Sequence, residues 1–501
     1  MDLEKEALKN FYYSFEGYTQ EVELKFIITN YLLSLLGITC DAESLEEIEI
    51  DDFNKQQKSN IYFDKDKIVF KSNRNSSRGF YVSTSMDEND FKDSYLSKIR
   101  VVYEEIQKVT YNNFNKVNKG KNILNEYSSF AKVLSEYDYA VQRGICHWIA
   151  DNCPEKLEHL LISLEKWSSK TYEGKKVPFA FIVDLVSNNG IFNYIDFLYE
   201  EYSATFTDGI TSIVELDKDL RFIKYNSLTE NNTIPTTDIT FSPYRFAQVI
   251  TKFTNGKNKV GVVLLTSGDI ILIKDAKIEL IKRDGNWINF NKDIFVSTVM
   301  AVNNNYQSKL INQKLLNELF YTSLDVSFSH SGGLIAVVEN KDKLTEPCEF
   351  DDIKKYGESF KDKPYGIVNY IDDLKLKLPS YEELKFTYKL FNSSNMKKRF
   401  SKRAAIVALA GYKYEESELI NFIKLDRKLR AEFVSMDGAT ILDKNGDVIS
   451  FGAIIQNDSG SYGGGRGAAA RKLSNYGLAI KISTDGYIEV YINGQVKYRM
   501  K

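Results

Sequence analysis

Cysteine is nearly missing from these 501 residues: four positions, Cys40, Cys146, Cys153 and Cys348, are spread along the chain. Disulfide scaffolds are short and cysteine-dense, so that class is excluded. Glycine and proline are scarce as well, 28 and 7 residues, which rules out collagen-like and low-complexity architectures. No run reaches the roughly 20 apolar residues that a membrane-spanning helix needs. The longest candidate, Phe26 to Cys40, is shorter and interrupted by polar residues, and reads as a buried core helix. An excess of one charge is also lacking, since 66 basic residues against 69 acidic ones leave a net charge of −3. No global positive field therefore draws the molecule onto nucleic acid or an acidic membrane, and any phosphate-binding site has to be local. The opening MDLEKEALKN is acidic and has no apolar secretory core, so a reducing cytoplasm is the expected location.

What is present is enough apolar sequence for a sizeable core, and a length that suggests about three domains at roughly 100 to 200 residues each. Residues 1 to about 50 read as helical, with Leu24, Ile27, Ile28, Tyr31, Leu32, Leu35 and Leu36 on one face. Ile61 to Phe70 and Gly79 to Ser83 alternate as strands do. Long periodic runs between Asp87 and Lys170 predict helices, broken at Asn152 to Pro154. Val177 to Asp184 predicts a short apolar strand whose proline marks a start or an edge. The polar stretch Ser227 to Asp238 predicts a boundary. Beyond it, residues 260 to 285 read as a β-meander with Gly/Asp turns. Further expectations are a helix over Tyr306 to Ser323, a strand over Gly333 to Glu339, helices after Pro379 and around Glu415 to Phe433, and strands near 439–442, 448–455, 478–483 and 487–492. The expected fold is α/β, with a mainly helical α+β region at 1–225, a β-rich meander plus helix at 235–315 packed with the next domain, and a mixed sheet flanked by helices at 316–501.

The densest chemical signal is Ser435 to Ala470. Asp437-Gly438-Ala439 puts a carboxylate at an exposed helix-to-strand corner, which makes Asp437 a candidate metal ligand or general base. Some 25 residues later, Gly463-Gly464-Gly465-Arg466-Gly467 followed by three alanines offers inward-pointing backbone N–H groups, one guanidinium and a helix start. That combination suits a phosphate.

Together these pieces resemble the diadenylate cyclase domain, which condenses two ATP molecules into cyclic di-AMP. The clear resemblance covers Asp437 to Gln495. A weaker extension reaches back to about Asn317 through Gly332-Gly333-Leu334-Ile335-Ala336-Val337-Val338. The resemblance implies that Asp437 binds Mg²⁺ or Mn²⁺ and helps to activate a ribose hydroxyl, that Gly438 and Ala439 lie against the nucleotide, and that the loop with Arg466 holds phosphate. The cyclases carry Gly-Thr-Arg-His-Arg-Ala-Ala, whereas this loop has a single basic residue. One register puts Arg466 at the first Arg of that triplet, another at its His. Losing one transition-state donor costs about 10²- to 10³-fold in rate, so the sequence is most similar to altered members of the superfamily that look like nucleotide sensors in bacterial signalling or defence.

The function implied is binding of a nucleotide or cyclic dinucleotide, with ATP as one candidate. The alternatives are an active diadenylate cyclase or other dinucleotide-forming nucleotidyltransferase, which would work as a homo-oligomer, and a non-binding scaffold. A sensor without an output module of its own implies an effector protein as partner. Trp167 to Gly174 and the meander resemble the usual upstream accompaniment of such sensors, with Trp167 and Tyr172 read as packing residues.

Cys146, His147, Cys153 and His159 lack the paired spacing of a zinc site and fall in a helical run, where cysteine behaves as a small apolar residue. His330 reads as a turn residue that could also line the pocket. The cluster Lys397, Lys398, Arg399, Lys402 and Arg403 reads as a solvated helix face.

Overall fold

In a computed structural model of the chain, the described residues are 25, 27–36, 45–50, 60–64, 67–71, 78–83, 93–118, 130–208, 211–227, 253–255, 258–289, 295–296, 299–300, 311, 313–338, 420–453, 455 and 464–500. They form a mixed α/β structure with three sheets. The chain divides into two compact units, Met1–Ser297 with Met500–Lys501, and Thr298–Arg499. No helix among the described residues is long and apolar enough to cross a membrane.

The first unit begins with a π-helical turn, Ile28–Leu32, continued by α1 (Leu33–Leu36). Ile27, Ile28, Leu32, Leu35 and Leu36 are buried, as their spacing predicts. A four-stranded antiparallel sheet follows in the order β1-β4-β3-β2, from β1 (Glu46–Glu49), β2 (Ile61–Asp64), β3 (Lys67–Lys71) and β4 (Arg78–Ser83). β1 falls where the sequence predicts helix. Its Glu-Glu-Ile-Glu has no strand signature of its own and is held by pairing with Arg78 to Tyr81 and by the buried flanking residues Leu45 and Ile50.

The three long helices occur as predicted: α2 (Asp93–Asn118), α3 (Phe130–Ile149) and α4 (Pro154–Ser169). Pro154 opens α4 at the position where a missing N–H costs nothing. Next comes a seven-stranded sheet of order β11-β10-β9-β8-β5-β6-β7. It contains β5 (Phe179–Asp184), β6 (Ser212–Leu216), β7 (Phe222–Ser227), β8 (Lys259–Leu264), β9 (Ile270–Lys274), β10 (Lys277–Arg283) and β11 (Asn286–Ile288). A short helix, α5 (Tyr194–Leu198), lies between β5 and β6.

β5 is central, so Pro178 marks its start and not a sheet edge. β8 to β11 are the expected meander, but β8 pairs antiparallel with β5 from Phe179↔Leu264 to Asp184↔Lys259. One sheet thus joins residues on both sides of the predicted boundary at 227–238, and the meander shares a sheet with the N-terminal region. Local polarity says nothing about which strands pair across it. α3 and α4 are fastened to this sheet by Lys282, which donates to Gln142 at 2.6 Å and Glu165 at 2.7 Å, and by Lys274, which donates to the Ile149 carbonyl. Trp167 is buried against Phe179 and donates to the Leu198 carbonyl at 2.8 Å, the packing role expected of it.

The second unit is built on a six-stranded mixed sheet of order β14-β13-β12-β15-β16-β17. Its strands are β12 (Gly333–Val338), β13 (Ala439–Asp443), β14 (Val448–Ala453), β15 (Gly477–Ile482), β16 (Ile488–Ile492) and β17 (Gln495–Met500). β12 runs parallel to β13 and antiparallel to β15. Its helices are α6 (Gln313–Phe328), α7 (Arg427–Val434) and α8 (Gly464–Leu473). Of the helix expected around 415–433, residues 415–419 lie outside the described residues, and among the rest α7 starts only at Arg427, after a 3₁₀ turn at Phe422–Lys424. Asp426 caps α7, and Arg427 grips Asp325 of α6 with two hydrogen bonds of 2.5 and 3.0 Å. The alanines of α8 have a packing reason: Ala469, Ala470 and Leu473 bury against Leu334, Ala336, Ala439, Ile441 and Ala479, and small side chains let the helix lie close to the sheet. The helix expected after Pro379 and the basic cluster 397–403 lie outside the described residues.

Candidate functional site

Three segments of the second unit meet at one end of the parallel pair β12–β13: the turn before β12, the link from α7 to β13, and the start of α8. α7 ends at Ser435, whose N–H donates to the Ala431 carbonyl, and two residues later Asp437 projects with a side chain 96% exposed. Gly438 makes that corner possible. Its φ is +99°, and a Cβ there would lie 2.4 Å from the backbone carbon of Gly452 in β14. Ala439 then enters the sheet opposite Ala453 and is wholly buried in the core.

From the α8 side, Arg466 is half-buried and its Nη2 lies 3.5 Å from Asp437 Oδ1. The guanidinium lies across Gly332, where a Cβ would come within 2.0 Å of Nη1 and 3.2 Å of the Thr484 methyl. The carboxylate and the guanidinium singled out in the sequence, 29 residues apart, are therefore neighbours in space. An exposed pair at this separation is worth about 0 to 1 kcal/mol.

Gly464 and Gly465 are exposed at the head of α8, and no atom of the described residues lies within 4 Å of a Cβ built on either. Gly463 lies outside the described residues. Gly467 is buried, and a Cβ there would sit 3.9 Å from Lys481 Nζ. Lys481 is a cation outside the glycine-rich loop and its flanking motif. Its signal was a lysine interrupting the apolar strand Leu478 to Ile482, two residues from Ala479 and so on the face that α8 covers. Lys481 donates to Glu489 at 3.0 Å, and Glu489 also accepts from Tyr491 at 2.7 Å and Arg499 at 2.7 Å.

His330 closes α6 with φ +49°, its N–H donating to the Ser327 carbonyl, which is the turn role expected of it. Ser327 Oγ in turn donates to the Gly486 carbonyl in the β15–β16 turn. In the first unit, Cys146 and Cys153 are buried as small apolar residues, and burial pushes the Cys146 thiol far above its ordinary value. Among the described residues, no group of three His, Cys, Asp or Glu side chains is placed to hold a metal ion. No family model, curated protein or solved structure matches this chain.

Proposed function

We propose that the second unit is a nucleotide-binding module of the diadenylate-cyclase type, which senses a nucleotide or cyclic dinucleotide, with ATP as one candidate, in bacterial signalling or defence. The observation that carries this reading is the meeting of Asp437, Gly332 and Arg466 at the open head of α8. A helix start is a setting in which backbone N–H groups can meet a phosphate, and Arg466 adds a charge-assisted bond. Lys481 lies beside Gly467 beneath the helix, where its charge is paired with Glu489. Asp437 accepts from a ribose hydroxyl or meets a cation, while Gly438 and Ala439 contribute through the backbone corner they shape.

One exposed carboxylate does not cage Mg²⁺ or Mn²⁺. It fits an ion that takes its remaining ligands from phosphate and water. Such an ion would supply charge neutralisation on the phosphates; Asp437 would hold it in place, and Arg466 would orient the phosphate.

The second reading is an active dinucleotide-forming nucleotidyltransferase, favoured by the nearness of Asp437 to Arg466, the two groups that the resemblance assigns to catalysis. The two are separated by incubating the protein with ATP or GTP and Mn²⁺, then analysing by mass spectrometry both the solution and the nucleotide released on denaturation. Retained, unconverted nucleotide that is lost in Asp437→Ala and Arg466→Ala is expected. A new dinucleotide that disappears in Asp437→Ala would replace the sensor by the enzyme. Unchanged retention in both variants would sink the site.

A further inference from the structure

Residues 177 to 217 of the first unit contain seven carboxylates and no lysine, arginine or histidine, in a chain where Lys and Arg total 66. The same stretch holds six of the nine exposed large apolar side chains among the described residues. Asp184 and Glu215 pair with Lys259, Glu215 and Asp217 are buried, and Arg221 bridges Asn193 at one side, which leaves Asp196, Glu200 and Glu201 as the exposed carboxylates among the uncovered rings.

The local fold explains the exposure. Asn193 caps α5, its side chain accepting the Ile195 N–H, and this turns Tyr194 and Leu198 inward. Tyr194 packs edge-on against Phe181 of the central strand β5 at 5.6 Å. From this buried anchor a lattice of rings runs outward: Phe192 stacks on Phe222 at 5.3 Å, and Phe197 meets Tyr202 and Phe206, each at 5.5 Å. Its outer members remain uncovered, with Phe192 and Phe206 each 45% exposed, Tyr202 52% and the neighbouring Tyr199 56%. Asp196, Glu200 and Glu201 lie between these rings in the chain and are exposed. Glu200 and Glu201 make no ion pair among the described residues. One cation already uses the surface: Lys166 of α4 lies 5.4 Å from the centroid of Tyr199.

A patch that combines uncovered rings with unpaired carboxylates selects its partner. Phospholipid and nucleic-acid surfaces are anionic and are repelled. A purely apolar partner would strip water from the carboxylates without pairing them. We propose that this acidic aromatic surface docks a lysine- or arginine-rich segment of a partner protein, whose cations meet Glu200, Glu201 and the tyrosine faces while its apolar side chains cover Phe192 and Phe206.

The test uses the full chain and two fluorescein-labelled peptides that share length and Leu and Phe positions, one carrying Lys and Arg and the other Glu in their place. Fluorescence anisotropy should show the basic peptide binding, with affinity falling as salt is raised, and the acidic peptide not binding. Tyr199→Ser with Tyr202→Ser, and separately Glu200→Gln with Glu201→Gln, should each weaken binding by about tenfold or more; the carboxylate pair should leave the thermal midpoint unchanged, and the tyrosine pair, which gives up the Phe197 contact, should still unfold cooperatively. Equal binding of the two peptides, no binding of either, or indifference to both double variants would overturn the proposal. So would Tyr202-dependent self-association in sedimentation, which would make the occupant a second copy of the chain.

Discussion

The guanidinium of Arg466 fills the space that a side chain at Gly332 would need, since a Cβ there would lie 2.0 Å from Nη1. Gly332 therefore seats Arg466 beside Asp437. In Gly332→Ala the obstacle is the end of a flexible side chain, so the backbone stays put and the guanidinium moves. Affinity for a retained nucleotide should fall about 10- to 100-fold, the loss of one hydrogen bond to a charged group at about 1.5 to 3 kcal/mol. Arg466→Ala should match it, and urea midpoints should be unchanged. Titration calorimetry showing wild-type affinity in Gly332→Ala would refute this seating.

Gly438 is required by the fold itself. Alanine there has to adopt φ +99° and collides with backbone at 2.4 Å, with no side chain able to give way. The strained conformation costs about 1 to 3 kcal/mol and the overpacking about as much again. Equilibrium urea unfolding should show Gly438→Ala strongly destabilised, while Asp437→Ala, at a fully exposed position, stays close to wild type.

A buried ion pair joins the β8–β9 turn of the first unit to the end of β10, with Arg283 Nη2 donating to Asp269 at 2.8 Å and both side chains almost wholly covered. Asp269→Ala leaves a buried guanidinium without this partner and should destabilise by about 3 to 5 kcal/mol. Replacing both residues with apolar ones, as in Asp269→Leu with Arg283→Met, should recover most of that loss. A double variant no better than the single one would contradict this reading.

Burial by itself raises the Glu489 carboxyl, but hydrogen bonds from Tyr491 and Lys481 and the charges of Arg499 and Lys481 outweigh it, holding the group below its ordinary value of 4.5. The unfolded chain binds this proton more tightly than the folded one. The contribution of Glu489 is thus fully present above about pH 4.5 and is lost as pH falls through the folded value. Thermal midpoints of the wild type should drop more steeply below pH 4.5 than those of Glu489→Gln. Parallel curves would show that the network is not coupled to folding.

Much of this architecture was legible in the sequence because it rests on local periodicity and turn chemistry. The three long helices, the meander and strands β12 to β16 follow from spacing that any chain segment displays by itself, whereas β17, with its alternating polar residues, was not expected. The glycines of the Asn445-Gly446, Asp485-Gly486 and Asn493-Gly494 turns adopt the positive φ that those pairs favour. β1 was not legible, since Glu-Glu-Ile-Glu becomes a strand only against Arg78 to Tyr81.

The residue types of the candidate site, Asp437 at a Gly-formed corner and Arg466 in a glycine loop, were likewise set by the sequence, because each depends on its immediate neighbours. Which of them meet was decided by tertiary structure. The parallel pairing of β12 with β13 and the small-residue packing of α8 bring Gly332, Asp437 and Arg466 together and place Lys481 beside Gly467. The same holds for the pairing of β5 with β8 and the ring lattice that leads out from Phe181. Contacts between residues distant in the chain depend on which buried faces fit one another, and no short window of sequence contains both faces.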